Sequence, residues 1–255
     1  MKKKKANSFI RLLLGVALAA GLIQLAGWLK GDRLVFPDIG EILRAFFALL
    51  AAPGTYGAIL VTLRHLLIAV LLSTVIGVGL GLAEGLSEWV RDLLQPLMIL
   101  LRSIPMIVLT VIIMVLLPYR LVPMVGTTLI LVPLISEAAC EGCRQIDREL
   151  IDVYRLNSAL NIRIIWQVYL PLMAGYLRQA YRSGVGMGLK IAVTTEYLVQ
   201  TRGSLGKAVY SAAYFNEYAD IYAYALIMIG LVLLVSWVPE GCARLWEALR
   251  GRKER

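Results

Sequence analysis

The chain has 255 residues, 59% of them hydrophobic, with a mean hydropathy of +0.75 and a formal net charge of +9. A soluble domain of this size has no core able to hide that much apolar surface, so the composition excludes the water-soluble classes and requires a bilayer. The positive balance then reads as topology, and nucleic-acid binding is excluded because no soluble basic surface is present.

In chain order, Lys2 to Lys5 form a basic head before an apolar run. Ala17-Leu18-Ala19 resembles a small-residue cleavage site, but the run continues unbroken to Leu29, so an uncleaved first span over Leu12 to Leu29 is expected. Residues 35–56 follow, with Ile42, Ala45, Phe46, Leu49 and Leu50 at helical spacing and a Pro53-Gly54 stop. This reads as an amphipathic helix on the outer surface.

Leu66 to Ala83, Ser103 to Tyr119, Leu121 to Ser136 and Ile221 to Pro239 are further charge-poor runs near the ~20 residues that cross a bilayer core. Leu172 to Thr195 completes the set as a weaker span, interrupted by Arg178, Arg182 and Lys190. The expectation is one all-α, polytopic transmembrane domain over 1–255 with about six membrane helices. Lys and Arg outside the spans concentrate on the side holding both termini and the 144–167 segment, which predicts that both termini are cytoplasmic.

Gly77, Gly81 and Gly85 recur four apart, and Gly184 and Gly188 repeat the spacing, as close helix packing in lipid favours. Neither run completes a nucleotide-binding motif, since Ile191 stands where a phosphate loop needs a hydroxyl residue. Cys140 and Cys143 have redox spacing but no strand-helix context, and they read as small apolar residues. His65 has no second imidazole or carboxylate-His pair near it in sequence, so it reads as a packing or interfacial residue. No metal site and no nucleophile-base pair stands out, and the chain is not expected to be an enzyme.

The most polar long stretch lies at 144–167, placed in the cytoplasm by the topology. Leu150, Val153 and Tyr154 share one helical face, while Arg148, Glu149, Asp152 and Arg155 point largely elsewhere. Asn157-Ser158 interrupts the pattern, and a second amphipathic piece carries Ile162, Ile165 and Val168 to Leu170-Pro171. Two short angled helices held between spans would make a knob for a cytoplasmic partner; a connector lying on the membrane surface is the alternative.

The residues around this knob resemble the permease subunit of bacterial binding-protein-dependent ABC importers, whose signature runs from Glu-Ala-Ala through Gly to Ile-x-Leu-Pro. The literal Glu137-Ala138-Ala139 lies too far ahead of Leu170-Pro171 to be that signature. Counted back from Pro171, the register falls on Asp152-Val153-Tyr154, with Ser158 at the glycine position and Val168 at the isoleucine. "LLRSIP" at Leu100 to Pro105, "TTEYLV" around Glu196, "GSLGKAV" at Gly203 to Val209 and "FPDIGEILRAF" resemble the nitrate, sulfonate and taurine branch of that family.

The resemblance implies a type I importer permease fold in the bacterial inner membrane, paired with a second permease subunit as a homodimer or heterodimer. It further implies two copies of a separate ATPase subunit, which would bind ATP and Mg, and an extracytoplasmic solute-binding protein. No cofactor is expected on this chain itself. Arg148, Glu149, Asp152, Val153, Tyr154, Arg155, Asn157 and Ser158 would then couple to the ATPase. Charges placed in spans, at Arg102, Arg178, Arg182, Lys190 and Glu196, are candidates to line a pathway for a small anion; the alternative is that the two arginines of the fifth span snorkel to headgroups and Lys190 pairs with a carboxylate elsewhere. An ATP-independent transporter or channel is the rival, though no internal repeat supports it.

Overall fold

The computed structural model describes residue 21 and residues 37–146 and 165–251. The first predicted span, Leu12 to Leu29, lies almost entirely outside those residues, as does the body of the coupling segment at 147–164. The described residues are helical, without strands, and divide into two compact units, Met1–Tyr56 with Ala208–Ile229 and Gly57–Lys207 with Gly230–Arg255.

In the first unit, α1 (Ile39–Ala51) falls within the 35–56 stretch. Asp38 starts it: its carbonyl accepts from the Glu41 and Ile42 amides, while its own N–H donates to the Glu41 carboxylate at 3.2 Å. The aromatic rings of Tyr210, Tyr214 and Phe215 cluster at the other end of this unit's sequence, the first two stacked and the last two edge to face. Asn216, at φ 58°, turns the chain there.

The helices of the second unit are set by identifiable breaks. α2 (Pro53–Leu86) begins on Pro-Gly and ends at Ser87, whose extended backbone and hydroxyl, accepting from the Val90 amide at 3.4 Å, start α3 (Glu88–Ser103). Ile104 before Pro105 is forced out of the helical region, and α4 (Met106–Leu116) leaves α3 at 105°. The run expected as a span from Ser103 to Tyr119 therefore holds the shorter helix α4 just after a sharp bend. Eleven residues rise only about 16 Å, so α4 alone does not cross a bilayer core, and Arg102 lies in the last turn of α3, before the bend.

α5 (Val122–Arg144) carries Pro123 in its first turn and covers the expected fourth span. A π-helical turn, Ile165–Tyr169, leads into α6 (Leu170–Val199). α7 (Leu205–Tyr214) and α8 (Tyr218–Gly251) follow. Among the described residues, α2, α5 and the Tyr218–Val238 part of α8 are long and apolar enough to cross a membrane, with α3 and α4 a fourth candidate if the bent pair is one span. α6 has the length, about 45 Å for its 30 residues, but its three cations keep it below that standard of apolarity.

Side chains of α2, α5, the π-helical turn and α6 form the core: Leu82, Leu131, Ile135, Ala139, Cys143, Tyr169, Met173 and Leu177 pack together. Gly77, Gly81 and Gly85 lie along α5. A Cβ on Gly77 would come within 2.9 Å of Ile135, and one on Gly85 within 2.6 Å of Cys143. One on Gly81 would collide with the Ser136 carbonyl oxygen. The backbones therefore approach at a distance that only hydrogen side chains permit, and dispersion contacts in lipid supply the attraction. Gly184 and Gly188 back onto Leu131, with Leu134 and Leu66 beside them. Cys140 and Cys143 are buried free thiols in this packing.

Candidate functional site

Glu196 is completely buried near the end of α6, and its carboxylate is fully engaged. Oε2 accepts from the Thr62 hydroxyl at 2.8 Å and from the Gly206 amide at 3.2 Å. Oε1 lies 2.7 Å from Nδ1 of His65. Thr62, itself buried, accepts in turn from the Leu205 amide at 3.1 Å.

Local sequence explains why α7 begins here. Gln200 takes the left-handed conformation that ends α6, the Thr201 amide returns to the Glu196 carbonyl, and Gly203, at φ 69°, completes the reversal. Leu205 and Gly206 are then the first residues of α7, whose opening amides have no partner within the helix. The carboxylate and the Thr62 hydroxyl satisfy them, and a negative charge at a helix N-terminus is also favoured by the helix dipole. Thr62 and His65, one turn apart on α2, thus tie that helix to the α6–α7 reversal. The alternative to these bonds in an apolar interior is a set of bare polar groups, which is costly.

The opposite character appears along the exposed side of α6. Gln179, Ser183, Met187, Lys190 and Thr194 recur at helical spacing and all are exposed, with Arg178 and Arg182 exposed on an adjoining row. The Ser183 and Thr194 hydroxyls donate back to the carbonyls of Gln179 and Lys190, which keeps them from demanding a partner in lipid. Met173, Leu177, Ala180, Gly184 and Gly188 occupy the buried side.

The sequence-predicted site residues therefore separate. Lys190, Arg178 and Arg182 share the exposed side of α6, whereas Glu196 is enclosed with Thr62 and His65. Arg102 is on α3, donating to the Pro133 carbonyl at 2.8 Å and pairing with Glu137 at 2.7 Å. Arg148, Glu149, Asp152, Val153, Tyr154, Arg155, Asn157 and Ser158 lie outside the described residues. The end of the motif lies within them: Val168 is buried in the π-helical turn, and Leu170-Pro171 opens α6. Thr62 was not singled out by the sequence, and His65 was read there as lacking a carboxylate; the partner comes from 131 residues away. Only the placement of a His and a Thr one turn apart on an apolar helix hinted at it.

Among the described residues no three His, Cys, Asp or Glu side chains converge as a metal site. In fold, the chain is similar to the MetNI methionine ABC transporter in inward facing conformations, with a TM-score of 0.64 at 19% identity, over 74% of this chain and 94% of that one. It is also similar to a bacterial ABC transporter involved in the import of the acidic polysaccharide alginate, with a TM-score of 0.67 at 14% identity, over 95% and 97% of the two chains. At these identities the likeness is one of fold, that of a type I importer permease. No curated protein sequence matches the chain. The family model described as "Binding-protein-dependent transport system inner membrane component" matches residues 73–247, well over half the chain. The chain belongs to that family of inner membrane transport components.

Proposed function

We propose that the chain is the permease subunit of an ATP-driven importer in which α6 borders the solute pathway and residues 144–167 receive the motion of a separate ATPase. The observation that carries this reading is the family match across 73–247, which spans both α6 and the polar 147–164 segment. Two ATPase copies, a second permease subunit and an extracytoplasmic binding protein complete the assembly, with both termini in the cytoplasm and ATP and Mg bound by the ATPase. Asp152 to Ser158 are the contacts to the ATPase, ahead of Val168 and of Leu170-Pro171 at the start of α6.

The solute is a small organic or inorganic anion, the class taken by the nitrate, sulfonate and taurine branch. Exposed Lys190 and Arg182 on one helix support this, because cations facing a shared aqueous pathway lower the cost of an anion there. Such a permease alternates between two arrangements, and ATP biases them only through an element that contacts the motor differently in each.

Co-purification tests the proposal. A tagged full-length chain is expected to carry a stoichiometric ATPase subunit, and deletion of residues 147–165 is expected to release it while the spans remain inserted. Uptake driven by an ion gradient through the chain alone, with no ATPase bound, would refute it.

A further inference from the structure

A cleft of about 240 Å3 opens where the C-terminal ends of α2 and α5 meet α3. Two membrane-length helices end there together, a setting that suits lipid headgroups on whichever face that is. Its walls carry Arg91 and Arg102 from α3, Arg144 from α5, and Glu84, Glu137 and Glu141 from α2 and α5. Three guanidinium groups face three carboxylates, so the lining is balanced in charge.

The groups are only partly committed. Arg102 pairs with Glu137, Glu84 accepts from the Ser136 hydroxyl at 3.2 Å, and Glu141 accepts from Gln145. Arg91 and Arg144 make no ion pair or side-chain hydrogen bond among the described residues. Each carboxylate keeps lone pairs to spare, and two planar donors of the kind that grip phosphate are left open.

α3 supplies a second, independent indication. Arg91, Gln95, Met98 and Arg102 line the cleft, while Trp89, Leu93, Leu97 and Leu100 recur at the same spacing on another face and are all exposed. Trp89 is 72% exposed, and an indole so placed prefers the interface between headgroups and chains. A helix with one apolar stripe and one charged stripe lies in that interface. A molecule whose polar head enters the cleft thus has an adjacent apolar track for its tails.

We propose that this cleft binds the headgroup of a zwitterionic phospholipid carrying a primary ammonium, a phosphatidylethanolamine, with Arg91 and Arg144 on the phosphate and the Glu84, Glu137 and Glu141 carboxylates around the ammonium. The balanced lining decides the class. An anionic headgroup without an ammonium would leave the carboxylates facing a like charge, and a choline headgroup would fill the space without N–H donors for them. The volume decides the size, because it falls below the ~300–1,000 Å3 of pockets that enclose drug-sized ligands.

The test uses the full-length chain purified in detergent, with lipid binding read by native mass spectrometry. The probes are short-chain phosphatidylethanolamine, phosphatidylglycerol and phosphatidylcholine, with phosphoethanolamine and inorganic phosphate as the soluble arms. The unmodified chain is expected to prefer phosphatidylethanolamine by about tenfold over the other two lipids, a difference of ~1.4 kcal/mol. Arg91→Gln with Arg144→Gln should cut its occupancy by about tenfold, and Arg91→Lys with Arg144→Lys, which keeps the charge, should restore most of it. Equal binding of the three lipids, or binding unchanged in the glutamine variant, overturns the proposal. Tighter binding of inorganic phosphate than of any lipid overturns it in favour of a soluble ligand. Should the arginine variants not fold, the selectivity of the unmodified chain decides alone.

Discussion

Glu196 and His65 lie 131 residues apart in sequence, yet Nδ1 of the imidazole sits 2.7 Å from Oε1 of a carboxylate with no exposure to solvent. The same carboxylate holds Thr62 and the first turn of α7. Glu196→Ala strips partners from a buried hydroxyl, an amide and an imidazole at once, and is expected to cost about 3–5 kcal/mol. Glu196→Gln preserves the shape and one acceptor oxygen and should cost clearly less. Thermal unfolding of the purified chain checks the order; equal stability of the alanine variant and the parent would show that the network carries no load.

The glycine seam yields a comparison within one helix. Gly81→Ala must push α2 away from the Ser136 carbonyl and is expected to cost about 1–3 kcal/mol. Gly79→Ala, where an added methyl meets nothing within 4 Å, should leave stability unchanged or raise it by up to about 1 kcal/mol through helix propensity. Unfolding midpoints of the two variants in the same detergent separate packing from propensity.

Arg102 and Glu137 are both exposed, 44% and 64% by side chain, so their ion pair is a weak tie between the end of α3 and α5. Glu137→Gln is expected to cost less than about 1 kcal/mol, reduced further at high salt. Arg102→Met loses the Pro133 carbonyl as well and should cost more than the glutamine variant. A salt titration of stability in both variants is the check.

On α6, Lys190→Ala and Arg182→Ala are expected to lower solute uptake in reconstituted vesicles by tenfold or more, about 1.4 kcal/mol of lost stabilisation, with insertion and ATPase association intact. Lys190→Arg should retain most of the uptake. Normal transport by both alanine variants, with normal assembly, removes these cations from the pathway.

Hydropathy made α2, α5 and the membrane part of α8 legible, because each carries a run that no soluble structure tolerates. The bend at Ile104-Pro105 has a local cause, a residue forced extended before proline, which a hydropathy average does not register. α6 was legible only as a weaker span, since its cations lower the average that hydropathy measures while leaving helix length untouched. The Glu196 network was not legible beyond the spacing of Thr62 and His65 on α2. Its members come from three helices, α2, α6 and the start of α7, and no local periodicity records which distant carboxylate an isolated histidine will meet.

Lys190, one of the cations on the exposed side of α6, carries an implication for biogenesis. In the proposed assembly with a second permease subunit, a copy lacking that subunit would present the exposed Lys190 ammonium to acyl chains, at a cost of up to roughly 2.5–3.5 kcal/mol against stable insertion. Subunits made in excess should therefore be the first that membrane proteases extract and clear, and matched synthesis of the two halves should lengthen the lifetime of each.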